Sequence, residues 1–150
     1  MTLEDPEETL RRLENEVGGM VEVWVLRADF DAWNAAVEAL QAKGYRIEFT
    51  HGGASVGGPL TAEMFSDGGE QGDAYEMYVD VGTGRWWTGI FSTELIDFQG
   101  RPEWIASMRE LAEISDFMQI LADATKKETI FIPESLDGNV RRYMIRNPKD

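Results

Sequence analysis

The sequence predicts a single α+β domain over residues 1–150: a mixed four- to five-stranded sheet with a βαβ unit and a hairpin, packed by three to four helices. Three observations point there. Residues 20–27, 45–50 and 75–92 alternate apolar and polar side chains with the period of a strand. Residues 5–17, 29–43 and 103–126 repeat apolar side chains with the period of a helix. The chain has 150 residues, 43% of them hydrophobic, which is enough for one core and too short for two ordinary domains.

The first element, residues 1–17, reads as a leader helix. Asp5 is placed as N-cap, Pro6 at the first helical position and Glu8 three residues after the cap, while Leu10, Leu13 and Val17 share one side. Gly18-Gly19 ends it. In the next segment Val21, Val23 and Val25 alternate with Glu22, Trp24 and Leu26, as in a strand buried on one face and partly on the other. Asp29 then caps a helix carrying Phe30, Trp33, Val37 and Leu40, and Gly44 stands where a left-handed C-terminal cap is expected. Tyr45, Ile47 and Phe49 alternate with Arg46, Glu48 and Thr50 in a second strand. Strand, helix and strand with short links predict a βαβ unit whose two strands are parallel.

Residues 51–73 hold seven glycines and Pro59 and are expected to form a long acidic loop, with a helical turn only near Leu60 to Phe65. Gly82-Thr83-Gly84 then divides two strands as a three-residue hairpin turn. With Val81 opposite Arg85, Tyr75, Met77, Val79, Trp87, Gly89 and Phe91 share an inward face. Glu76, Tyr78, Asp80, Trp86, Thr88 and Ile90 share the other, an acidic and aromatic surface suited to a protein contact. Arg101-Pro102-Glu103 opens a helical region to Lys127, either one helix or two divided near Ser115-Asp116. A short strand at 129–132 follows, and 140–145 is a weaker strand because of Arg141 and Arg142. Trp24, Trp33 and Trp104 fall on periodic apolar faces and are expected in the core.

The charge is lopsided. Fourteen Lys and Arg stand against 28 Asp and Glu, a formal net charge of −14, which disfavours nucleic acid and anionic lipid and favours a basic protein partner. Residues 47–84 contain seven acids, Glu48, Glu63, Asp67, Glu70, Asp73, Glu76 and Asp80, and no Lys or Arg. No apolar run approaches the roughly 18–20 residues of a membrane span. The acidic residues 1–8 fit neither a secretory signal nor a transit peptide, and zero cysteines fit a reducing compartment, so a cytoplasmic location is expected.

No motif specifies a reaction, a cofactor or a metal. Gly53-Ala54-Ser55-Val56-Gly57 matches the spacing of a nucleophile elbow, but Gly58-Pro59 forbids the helix that must follow, and the sole histidine, His51, precedes the serine. The glycines at 52–58 lack the Lys-Ser/Thr of a phosphate loop. Asp67, Glu70 and Asp73 lack the acid spacing of a calcium loop. Glu76 and Asp80 could pair as glycosidase carboxyls only across a cleft that the sequence does not show.

In size, acidity and α+β layout the chain resembles immunity proteins and antitoxin-like inhibitors, which mask basic toxin enzymes; no sequence motif is shared. The resemblance implies a non-enzymatic protein-binding domain. The expected partner-binding residues are Glu76, Tyr78, Asp80, Trp86 and Ile90, with Asp67, Glu70 and Asp73 steering the partner. The alternative is a small-molecule binder or hydrolase-like enzyme that uses residues 51–73 as a lid.

Overall fold

A computed structural model describes residues 5–16, 18–65, 74–134 and 142–149. Among the described residues, three helices pack on one face of a single eight-stranded sheet. The helices are α1 (Pro6–Asn15), α2 (Phe30–Ala42) and α3 (Met108–Thr125). The strands are β1 (Val21–Val25), β2 (Ile47–His51), β3 (Ala54–Val56), β4 (Tyr75–Val81), β5 (Gly84–Gly89), β6 (Ile96–Gly100), β7 (Thr129–Pro133) and β8 (Met144–Arg146). Their order is β3-β2-β4-β5-β6-β1-β7-β8, and every neighbouring pair is antiparallel.

The expected mixed sheet of four to five strands is therefore corrected to eight, all antiparallel. Two of the strands beyond five, β3 and β8, are three residues long: β3 lies in the glycine-rich segment expected as a loop, and β8 overlaps the weaker strand expected at 140–145. The third, β6, has the alternation Ile96-Asp97-Phe98-Gln99-Gly100, a strand pattern that the charged and amide residues obscure. The βαβ unit is corrected as well. Successive antiparallel pairings leave β1 and β2 pointing the same way, but β6, β5 and β4 lie between them. Short links let β4, β5 and β6 pair with their chain neighbours at small loop-closure cost, and these strands fill the positions beside β1 and β2.

The helix ends follow from local chemistry. Asp5 Oδ1 accepts from the Glu7 N–H at 3.0 Å, and Asp29 Oδ1 from the Ala32 N–H at 2.7 Å, so each satisfies a donor that the helix cannot. Between residues 101 and 127 there is one α-helix, preceded by a 3-10 turn at Pro102–Trp104. Its start is a capping box: Ser107 Oγ accepts from Glu110 N–H, and the Glu110 carboxylate accepts from Ser107 Oγ and Ala106 N–H. Lys126, in the left-handed conformation, ends the helix.

The core lies between the helices and one sheet face. Val21, Val23, Val25, Ile96, Phe98, Met77 and Val79 project from the strands and are fully buried. Phe117 of α3 meets Phe98 edge-on at 5.2 Å and stacks on Tyr45 at 5.9 Å, while Trp33 of α2 meets Phe65 edge-on at 5.0 Å. Trp33 is core as expected, and its indole N–H donates to the Thr93 carbonyl.

The β4–β5 turn decides which tryptophan joins this core. Val81 pairs with Gly84 and Asp80 with Arg85, so the turn has two residues, Gly82 and Thr83, and the expected Val81–Arg85 register is off by one. Gly82, at φ +60°, supplies the positive φ that the first position of a type II′ turn needs. Gly84 becomes a strand residue beneath Trp104, where a Cβ would come within 2.5 Å of the ring. Because side chains alternate, the slip moves every β5 residue to the opposite face.

Candidate functional site

The other face of the sheet carries no described helix, and its residues form two rows. The β7-β1-β6-β5-β4-β2 pairings align Ile132, Glu22, Gln99, Trp87, Tyr78 and Glu48 across six strands. Beside this row, Ile145, Ile130, Trp24 and Asp97 align at one end, and Gly89, Glu76, Thr50 and Ser55 at the other. The Phe91 ring, 54% exposed, lies over Gly89 in the space that a Cβ would otherwise enter. The face thus combines half-buried aromatic rings with carboxylates, the composition of an interface centre with polar surroundings.

Two positions on this face differ in how their charges are met. On β5, Arg85 reaches Glu48 and lies 4.6 Å above the Tyr78 ring, a guanidinium shared by a carboxylate and an aromatic face. On β1 and β6, Glu22 and Asp97 are diagonal neighbours, and no described Lys, Arg or His pairs with either. Glu22 is only 9% exposed. Asp97 Oδ1 and the Trp24 indole nitrogen are sealed from solvent, and the Trp24 N–H and the Glu22 carboxyl are the hydrogen-bonding neighbours of the Asp97 carboxyl. Burial, and after it the adjoining Glu22 carboxyl, push the Asp97 carboxyl far above the usual range, and Glu134 adds to the rise.

Of the residues expected to bind a partner, Glu76 and Tyr78 lie on this face and Asp80 is exposed at its margin opposite Arg85. Trp86 is corrected: the register slip turns it inward, where it is fully buried, edge-on to Trp104 and Phe131 and against Gly100. Trp87 takes the outward position. Ile90 is corrected too; it lies one residue past β5 and is 1% exposed, with its N–H donating to the Tyr75 carbonyl. Asp67, Glu70 and Asp73 lie outside the described residues. Trp24, expected in the core, faces outward with Glu22, while Trp104 is half-buried against Trp86.

Glu22, Trp24, Asp97 and Gln99 were missing from the expected site. Their signal is the alternation in Val-Glu-Val-Trp-Val and Ile-Asp-Phe-Gln-Gly, which puts acids and indole on the face opposite the valines.

The hydrolase-like alternative loses its geometry. Ser55 pairs with Thr50 and His51 with Ala54 across a hairpin, so the serine and histidine side chains project from opposite faces. His51 stacks on Tyr75 at 3.9 Å instead. Among the described residues, no three His, Asp or Glu are grouped to hold a metal, and no helix is long and apolar enough to cross a membrane. The chain matches no protein-family model, no curated protein and no solved structure.

Proposed function

We propose that this chain is a non-enzymatic protein-binding domain, an acidic inhibitor of the immunity-protein or antitoxin type, whose sheet face opposite the described helices masks a basic protein partner. The observation that carries the proposal is the row Glu22, Gln99, Trp87, Tyr78 and Glu48, which crosses five neighbouring strands with no described helix above it. Rigid strands present indole and phenol rings at low entropic cost, and the surrounding carboxylates complement lysine and arginine. A net charge of −14 adds long-range attraction for a basic surface.

The test isolates the partner with the tagged full chain from the cells that produce it, identifies it, and measures affinity by calorimetry at low and physiological salt. The expected partner is rich in Lys and Arg and binds about tenfold or more weakly at the higher salt. Trp87→Ala weakens binding by about thirtyfold, the loss of an anchor of about 2 kcal/mol. A partner that binds Trp87→Ala and Tyr78→Ala as tightly as the parent, with no salt dependence, overturns the assignment.

A further inference from the structure

We propose that the free edge of β3 is a strand-addition site, where an extended basic segment of the partner pairs with Ser55 and lengthens the sheet. The inference rests on the partner being basic and adds how its main chain is held. Hydrogen bonding shows which way Ser55 points. Asp80 N–H donates to the Arg46 carbonyl at 3.1 Å and Gly52 N–H to the Ala74 carbonyl at 3.2 Å, so the even-numbered residues of β2 and its flanks turn their backbone groups toward β4. Phe49 and His51 turn theirs the other way, toward Val56 and Ala54 of β3. Ser55, between these two, therefore aims its N–H and C=O away from β2. No described strand lies beyond β3, and both Ala54 and Ser55 are exposed.

The two edges of the sheet are guarded differently. At the far edge, β8 carries Arg146 within the strand, and its guanidinium folds back to donate to the Ile145 carbonyl at 2.8 Å. A charged side chain of this kind is a usual guard against edge pairing. At the near edge there is none: residues 52–62 hold no charged side chain. Charge then names the occupant. Strands β2, β3 and β4 contain Glu48, Glu76 and Asp80 and no Lys or Arg, so the open edge lies at an acidic end of the sheet, where Arg85 of β5 pairs with Glu48 alone. A second copy pairing β3 with β3 brings two acidic ends together, whereas a strand bearing Lys or Arg meets opposite charge. Main-chain bonds supply the affinity in such an arrangement, and the side chains supply the choice of partner.

The probe is the peptide acetyl-Lys-Val-Lys-Val-Lys amide, added to the full chain while backbone amide signals are followed by NMR, with acetyl-Glu-Val-Glu-Val-Glu amide as its counterpart. The Ser55 amide signal is expected to move most and to saturate on the order of millimolar peptide. At saturation its exchange with solvent deuterium should slow about tenfold or more, and added salt should weaken the effect. Ser55→Pro removes the outward N–H, a change that an edge strand tolerates on its open side, and should weaken peptide binding about tenfold or more. Ser55→Ala keeps the main chain and should bind as the parent does. Because exchange at Ser55 is read on the parent chain, the outcome does not depend on how the proline variant folds. Equal binding of the glutamate peptide, shifts that spare residues 53–57, or a folded Ser55→Pro that binds like the parent overturns the site. Self-association of the parent that Ser55→Pro abolishes also overturns it, since a second copy then holds the edge. Partner binding that Trp87→Ala weakens but Ser55→Pro leaves untouched overturns strand addition and leaves the face assignment standing.

Discussion

The two faces of the sheet are built from alternate residues of the same strands, yet they solve opposite problems. On the helix-covered face, Val23, Phe98, Trp86 and Val79 are all fully buried, and glycines make room for rings: Gly100 lies under Trp86 and Gly84 under Trp104. On the other face, one residue along each strand, Glu22, Gln99, Trp87 and Tyr78 bring polar and aromatic groups together with no described helix above them. The first face gains its stability from close packing. The second sets carboxyls beside half-buried rings, and there burial raises the Asp97 carboxyl instead of a described cation meeting it.

The sharpest way to break this comparison is to truncate the adjacent tryptophans separately. Trp86→Ala should cost about 3–5 kcal/mol, by loss of buried area and creation of a cavity, and be seen as a large drop in the urea midpoint. Trp87→Ala should cost less than about 1.5 kcal/mol of stability while weakening partner binding by about thirtyfold. Equal destabilisation by the two would mean that the faces are not distinct.

A smaller effect separates the faces by pH. The Asp97 carboxyl is raised from its usual value of 3.8 to about 8, first by burial and then by Glu22. The folded protein therefore keeps a proton that the unfolded chain releases between these values. This contribution to stability is complete below pH 3.8 and is lost as pH rises toward about 8. Asp97→Asn should flatten that decline, making the variant more stable than the parent at the alkaline end by roughly 1–3 kcal/mol, discounted for the solvent that still reaches the pair. Urea unfolding across the pH series measures it; parallel curves for parent and variant would remove the shared proton from the account.

The smallest effect belongs to the covering layer. Ser107→Ala removes the cap of α3 and should cost about 1 kcal/mol in thermal or urea unfolding, with partner affinity unchanged because α3 lies behind the sheet. A loss of affinity would show that the helical layer also reaches the partner.

Local signals in the chain were sufficient for much of this. Asp5 with Pro6, and Asp29 with Gly44, bracket helices through chemistry that acts over a few residues. Val21 to Val25 shows which side chains share a face, because strand alternation is a property of the backbone. Other features depended on distant partners. Ser107 and Glu110 form a legible capping box, yet the preceding Pro102 turn masks the start of α3. Asp97 and Gln99 disguise a central strand, since polar residues are depleted from strands except where a face is solvated or functional.

What the amino-acid order determined alone is the set of local elements, their caps, and which residues within each strand lie on the same side. Tertiary structure decided which strands became neighbours, which register joined β4 to β5, and so which tryptophan looks outward. The physical reason is that alternation sets only relative facing. A choice between two registers one residue apart depends on where rings from remote segments can fit, here Trp104 over Gly84 and Trp86 over Gly100.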